Sequence, residues 1–393
     1  MLYELGTAQT FHAPAEAVQH LGAALEATSG WPRRGQVALA LSEALAMCGR
    51  FSDAVTTVQE ALREAGEAGE ARDDDGDGAG GIVASLQAVL LNIARWDLST
   101  RTLTRPLVAE LLARAETGAA LDPQLYAHLA MELTVAGRDR QRALRYAREA
   151  VRAASTLMSL TSTSLPETVL VMTLADGGAE AWAGVQGWLE LARQRGRPLA
   201  AAIAASMAAY IAARDGDVRQ ALAFGEQALS ADDTWVSVVC SAFCVTALLN
   251  AGDNARAKEL LAGRGLLTAE LVPVFPYNLA QYARGCLHAA DGDHEAAVAD
   301  LLGVGAAAEQ WGIVNPATIA WRSAAALSQS ALGDRDAARR LAQEEIRLAR
   351  RWGAAREIGV ALRAAGLAEG GDAAADEALD CAFAGTAFLL DSF

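Results

Sequence analysis

The sequence contains a single lysine. Of its 33 basic residues only Lys258 is not arginine, and 48 carboxylates leave a net charge of −15 over 393 residues. Sequence-independent binding to nucleic acid needs clustered basic residues, so this balance argues against a direct nucleic-acid partner. The arginine skew, with the high Ala and Gly content, fits the mutational bias of a GC-rich genome such as an actinobacterium's and is not read as a guanidinium code. Proline is scarce at nine residues, too few for a loop-rich all-β chain of this length. Aromatics make up 6%, and no run alternates apolar and polar residues long enough to be a strand.

Catalytic and metal-binding signatures are missing too. The lone lysine follows Ala257 and not a glycine, so there is no phosphate-binding loop. No nucleophile elbow occurs. His12, His20, His128, His288 and His294 have no metal-ligand spacing among themselves or with cysteine. The cysteines Cys48, Cys240, Cys244, Cys286 and Cys381 are odd in number and contain no CxxC pair, and the opening MLYELGTAQTF has no basic leader. A reduced, cytoplasmic setting is expected. Asp73, Asp75, Asp77 and Gly78 match the start of a calcium loop. The positions that must then be apolar and a bidentate Glu are Gly80 and Ala84, so a solvated acidic loop is the better reading. The longest uncharged run, 234–252, is about long enough to span a bilayer. It carries Ser237, Ser241, Thr246 and Asn250 and stays in register with the repeat described next, so it reads as a buried helix. No enzyme activity, metal, cofactor or membrane partner is expected.

What the chain does have is a period. Gly49, Gly178, Gly216, Gly252, Gly292 and Gly333 are each followed five positions later by an alanine: Ala54, Ala183, Ala221, Ala257, Ala297 and Ala338. The last four glycines are 36, 40 and 41 residues apart. A period near 40 with apolar residues at helical spacing predicts a stacked array of helical hairpins. A glycine at each turn supplies positive φ, and small residues let the helices approach closely. Ser52 is the expected N-cap of the helix after Gly49, and Pro166 is expected in the first turn of a helix beginning after Ser164. The expected fold is all-α, a right-handed superhelix of about nine antiparallel hairpins forming one continuous domain over 1–393. An acidic loop at 71–81 and an irregular edge at 367–393 interrupt it. The tryptophans, among them Trp182, Trp188, Trp311, Trp321 and Trp352, are expected to pack between repeats.

Two resemblances follow from these residues. Gly285, Gly292 and Ala297, like Ala209, Gly216 and Ala221, fall in the register of a tetratricopeptide-like repeat, although the consensus Trp of the first helix is missing. LYELGTAQ (2–9), AVQHLGAALEA (17–27), ALALSEALAMCGRFSDAV (38–55), RALRYAREAV (142–151) and LAFGEQALSA (222–231) resemble the helical sensor region of large ATP-binding LuxR-type, MalT-like regulators. This chain lacks their nucleotide-binding and helix-turn-helix domains, so neither ATP nor DNA binding is carried over. In tetratricopeptide-like arrays the first helix of each pair lines a concave groove. That resemblance places Ser206, Tyr210, Thr246, Tyr282, Cys286 and Ser323 on a mixed polar and aromatic strip suited to a protein, peptide or small-molecule effector. The implied function is a non-catalytic sensing scaffold of a bacterial transcriptional regulator. The alternative is a constitutive protein–protein adaptor with no small ligand. Phe383, Phe388, Leu389, Leu390 and Phe393 form an apolar edge expected to serve as a homodimer or interdomain contact.

Overall fold

The computed structural model describes residues 1–68, 79–153, 164–229, 235–268 and 274–369. Among these it contains nineteen α-helices, one short 3-10 turn and no strand. The helices come in pairs: α1 (Leu2–Gln9) with α2 (Pro14–Ala27), α3 (Arg33–Met47) with α4 (Phe51–Glu67), and α5 (Ala79–Trp96) with α6 (Arg105–Glu116). Next come α7 (Pro123–Val135) with α8 (Arg140–Ala153), α9 (Ser164–Leu174) with α10 (Gly178–Gln194), and α11 (Pro198–Arg214) with α12 (Val218–Leu229). The last pairs are α13 (Trp235–Asn250) with α14 (Asn254–Gly263), α15 (Phe275–Ala290) with α16 (His294–Trp311), and α17 (Trp321–Ala331) with α18 (Arg335–Trp352). A final helix, α19 (Ala355–Glu369), follows. This is the all-α hairpin array that the period predicts.

The chain divides into two compact units. Unit 1 comprises 1–129 and 146–168, and unit 2 comprises 130–145 and 169–393. In unit 1 the core between α5, α6 and α7 is built on Leu91, Leu111, Leu125 and Leu129, all buried. In unit 2 the uncharged run becomes α13, whose Val238, Val245 and Leu248 pack with Leu261 of α14 and Leu287 of α15. Among the described residues no helix is long and apolar enough to cross a membrane.

The turns show how sequence makes hairpins. At 216, 252, 292 and 333 a glycine with φ between +75° and +86° ends the first helix. The following Asp caps the second: Asp217, Asp253, Asp293 and Asp334 accept from the backbone N–H of Gln220, Arg256, Ala296 and Ala337. One Gly–Asp dipeptide thus reverses the chain and satisfies an orphan donor of the next helix. The alanines that follow lie on the packed faces of the second helices. Ala54, Ala221, Ala257, Ala297 and Ala338 are all buried.

Two local expectations need correction. Ser52 does not cap α4, which begins at Phe51 after Arg50 and has no side-chain cap; the Ser52 hydroxyl reaches Asp97 instead. Gly178 is not a left-handed turn residue. It opens α10, and Asp176, with φ of +62°, takes the turn. The buried alanine there is therefore Ala181, five positions after Asp176, while Ala183 is exposed. Pro166 does lie in the first turn of α9. Of the expected acidic loop, 71–78 lies outside the described residues, whereas 79–81 belong to α5. The apolar edge of Phe383, Phe388, Leu389, Leu390 and Phe393 also lies outside the described residues.

The tryptophans pack as expected. Trp182 meets Phe224 edge-on at 5.7 Å, joining α10 to α12. Trp311 and Trp352 are buried at the ends of α16 and α18. The Trp321 ring lies on Gly305 of α16, where a Cβ would sit 2.5 Å from two of its ring carbons. A buried indole has nowhere to go, so Gly305→Ala is expected to cost about 1–3 kcal/mol of stability by overpacking. Urea unfolding checks this; a cost under about 0.5 kcal/mol would mean that the helices separate freely.

Candidate functional site

The strip predicted from the repeat register lies wholly in unit 2, and its members have different fates. Ser206 is buried, with its hydroxyl on the Ile203 carbonyl at 2.8 Å. Thr246 is half-buried and bonds the Ala242 carbonyl at 3.1 Å. Both hydroxyls bond carbonyls of their own helices. The other four lie near a set of buried charges.

Tyr210, on the last turn of α11, stacks on Phe243 of α13 with ring centroids 4.4 Å apart. Its hydroxyl accepts from Arg214 at 3.4 Å. Arg214 in turn donates to Glu357, in the first turn of α19, at 2.5 Å, and Arg356 donates to the same Glu357 oxygen at 3.2 Å. Glu357 is 2% exposed. Burial pushes its carboxyl up, but Arg214 and Arg356 outweigh that, so its pKa falls below the ordinary carboxylate range. Glu345, on α18, is the next charge along. It accepts weakly from the Ser323 hydroxyl at 3.4 Å and lies 3.6 Å from Arg322. Burial pushes its carboxyl up to about 7, with the negative charge of Glu357 adding to the effect and Arg322 opposing it. Tyr282 and Cys286, one turn apart on α15, pack against the core cluster that contains Leu301 and Trp321. The field of Cys286, then burial, raises the phenol's pKa, and burial raises the thiol's to about 11. Glu345 and Arg356 both act on Tyr282. Tyr210 is thus joined through Arg214 to Glu357 and Arg356, and Ser323 to Glu345, while Tyr282 and Cys286 lie in the field of these charges without a bond to them.

The same charges sit where unit 2 closes on itself. The Trp352 indole donates to the Leu174 carbonyl at 2.8 Å, and the Ala355 amide donates to Asp176 at 3.0 Å. Arg351 donates to the carbonyls of Gly137 and Ala136 at 3.1 and 2.7 Å. The amides of Val314 and Asn315 both donate to the Val135 carbonyl, at 2.9 and 3.2 Å, and the Asn315 side chain donates to the Thr134 carbonyl at 2.8 Å. The connections before α17 and α19 therefore meet the turns after α7, α9 and α11. These contacts span 142 to 215 positions in sequence.

The sequence reading missed these charges. Glu345 has a legible signal, since it falls on the buried face of α18 with Ala338, Ala342 and Ala349. Arg214 and Glu357 have none, because nothing local links positions so far apart.

Two further features lie outside the strip. A cavity of about 320 Å³ opens between α12, α13 and α14. Leu222, Leu229, Cys244, Leu248 and Leu260 line it, with Glu226, Arg256 and Glu259 alongside. In unit 1, buried Glu167 of α9 accepts from Asn92 at 2.7 Å, from Arg95, and from His128 Nδ1, the last at 2.6 Å. Burial raises its pKa, but Arg95 and His128 outweigh this and hold it below the usual range. Its stabilisation is therefore present above the pKa of the unfolded carboxyl and lost as pH falls through the folded value. Glu167→Gln should be less stable than wild type at pH 7 and should lose less stability on acidification. Parallel acid titrations by circular dichroism check this, and equal losses in wild type and Glu167→Gln would refute the assignment of Glu167. Among the described residues no three Cys, His, Asp or Glu side chains converge as a metal site.

No protein-family model matches the chain, and no curated protein matches its sequence. Among solved structures it is similar to a tetratricopeptide repeat protein from Parabacteroides merdae, at 13% identity over 78% of this chain and 93% of that one, with a TM-score of 0.33. It is also similar to a Rap protein complexed with Competence and Sporulation Factor, at 11% identity over 90% and 87%, with a TM-score of 0.46. A third is the APC/C hetero-tetramer Cut9-Hcn1, at 12% identity over 96% and 84%, with a TM-score of 0.38.

Proposed function

We propose that this chain is a non-catalytic sensing scaffold, and that an effector, either a peptide or a small molecule, engages the Tyr210–Tyr282–Cys286–Ser323 strip of unit 2. The observation that carries the reading is the wiring of that strip. The Tyr210 hydroxyl bonds Arg214, which bonds Glu357 of α19, the Ser323 hydroxyl bonds Glu345 of α18, and Tyr282 lies in the field of Glu345 and Arg356. A ligand that donates to the Tyr210 hydroxyl competes with Arg214, and one that accepts from the Ser323 hydroxyl competes with Glu345. Either thereby changes the balance between closed and opened arrangements, which is what a sensor needs. The resemblance of 2–9, 17–27 and 38–55 to LuxR-type sensor regions supports a place in a bacterial transcriptional regulator working in the cytoplasm. The apolar residues between Phe383 and Phe393 are the proposed contact with a second copy or a neighbouring domain.

A thermal-shift screen of amino acids, nucleotides, sugars and short peptides tests the strip. A true effector raises the melting temperature of the wild type, and Tyr282→Phe with Ser323→Ala reduces that shift. If no compound acts, and a purified partner binds both proteins equally, the adaptor reading replaces sensing. Sequencing the gene on both sides of this segment tests the regulator assignment, for which a nucleotide-binding domain upstream or a helix-turn-helix downstream is expected.

A further inference from the structure

The cavity between α12, α13 and α14 lies apart from the groove strip and has an apolar interior with a charged rim. Its volume of about 320 Å³ falls at the small end of the range for ligand pockets, roughly 300–1,000 Å³. Leu222 and Leu229 of α12, Leu248 of α13 and Leu260 of α14 are its apolar walls, and Cys244 of α13 completes the lining from below. A Cβ on Gly225 would sit 2.3 Å from the Cys244 sulfur, so the thiol is pressed against the backbone of α12. Burial, then the fields of Cys240 and Glu226, pushes that thiol up to about 12, and the floor is uncharged. The rim carries both signs. Glu226 of α12 and Arg256 of α14, both exposed, face each other at 3.5 Å. Asp253 lies 4.0 Å from another nitrogen of Arg256. Glu259 is exposed and holds no ion pair or hydrogen bond among the described residues. Outside the lining, Lys258 pairs with Asp291 at 3.3 Å, and Arg264 bonds the Leu229 carbonyl at 3.2 Å.

We propose that this cavity binds a free amino acid with a large aliphatic side chain, of the leucine class. The side chain enters the apolar interior, the ammonium meets Glu226 and Glu259, and the carboxylate meets Arg256. An exposed ion pair at 3.5 Å contributes little by itself, so Glu226 and Arg256 exchange each other for the two ends of a zwitterion at small cost. The guanidinium takes a carboxylate through two parallel N–H bonds, a better geometry than its present one. A zwitterion also leaves the charge of the rim unchanged. A fatty acid would bring a further anion beside Glu226 and Glu259, and a simple amine would leave Arg256 without a new partner. The apolar walls demand a side chain, because a ligand without one leaves them in water. The inference does not depend on the groove strip, and its failure would leave that reading untouched.

The test is isothermal titration calorimetry of the full chain with L-leucine, which is expected to bind saturably. Glycine, isoamylamine and isocaproate lack the side chain, the carboxylate and the ammonium in turn, and each should bind about tenfold or more weakly. Arg256→Gln, at an exposed position, should weaken leucine about tenfold. Leu260→Trp, which fills the cavity, should abolish binding. Circular dichroism confirms that each variant folds, and Arg256→Gln decides the matter if Leu260→Trp does not. Tyr282→Phe with Ser323→Ala should leave leucine binding unchanged. Absence of leucine binding would overturn the proposal, as would isoamylamine or isocaproate binding as tightly as leucine. So would leucine binding that Arg256→Gln leaves intact, or that the double variant of the strip abolishes, since each places the ligand elsewhere.

Discussion

Replacing Glu357 by alanine should destabilise the protein by about 3–5 kcal/mol, the usual cost of stranding one half of a buried ion pair. Arg214 is only 10% exposed and reaches Glu357 at 2.5 Å. Without that carboxylate its guanidinium keeps one hydrogen bond, to Tyr210 at 3.4 Å, with Asp215 and Asp176 as more exposed carboxylates nearby, and it cannot shed its charge. Burial by itself would lower the pKa of Arg214, but Tyr210 and Glu357 raise it instead. The double variant Arg214→Met, Glu357→Leu removes both charges and should recover most of the loss, because apolar isosteres of a buried pair are often neutral. Denaturant unfolding of the three variants decides it. A Glu357→Ala cost below about 1 kcal/mol would mean that the pair is solvated and that α19 is not fastened to α11.

The second large effect is a pH dependence with the opposite sign to ordinary acid denaturation. The folded pKa of Glu345, about 7, lies above the reference value of 4.5. Between those values the folded protein keeps a proton that the unfolded chain releases. Stability from this residue is therefore full below about 4.5 and is lost as pH rises through 7, by about 3 kcal/mol in total. Glu345→Gln removes the titration. At pH 8 the variant should be the more stable protein, by up to about 3 kcal/mol, and near pH 5 the two should be nearly equal. Glu43 in unit 1, also pushed up to about 7 by burial, contributes a slope of the same sign that this substitution leaves in place. Identical stability curves for wild type and Glu345→Gln between pH 5 and 8 would show that Glu345 is charged throughout. Ionised Glu345 repels Glu357 and attracts Arg322, so the same titration loads the contacts around the groove strip.

The legible and illegible parts of this molecule divide along physical lines. Hairpins are local: a glycine ends one helix, an alanine lets the next approach, and both recur at a fixed interval. Residue patterns such as Gly292 with Ala297 therefore carry the fold. The same pattern misleads at 178, where Asp176 adopts the left-handed conformation normally left to glycine and moves the buried alanine to 181. Its side chain, held by Arg140 and the Ala355 amide, fixes that turn from outside the repeat. The helical register placed Tyr210, Tyr282, Cys286 and Ser323 on the first helices of their hairpins, and it carried no sign of the charges near them. Ser206 and Thr246 have the same register but are satisfied by their own helices, a choice that depends on rotamer and neighbours. The closing contacts were not legible at all. Arg351 on the Gly137 carbonyl and Arg214 on Glu357 arise from how the hairpins of unit 2 accumulate curvature, which no short segment encodes.

Native-state hydrogen exchange, followed amide by amide, tests most directly whether those contacts form one cooperative closure. The informative groups are the Val314 and Asn315 amides on Val135, the Ala355 amide on Asp176 and the Trp352 indole on Leu174. A single closure predicts that all four are protected in the wild type with a common opening free energy. In Glu357→Ala all four should lose protection by a similar factor, while the Val245 and Leu248 amides inside α13 stay protected. Contradiction would be wild-type exchange of these groups at the rate of an open loop, or a Glu357→Ala effect confined to Ala355 with Val314 and Asn315 unmoved.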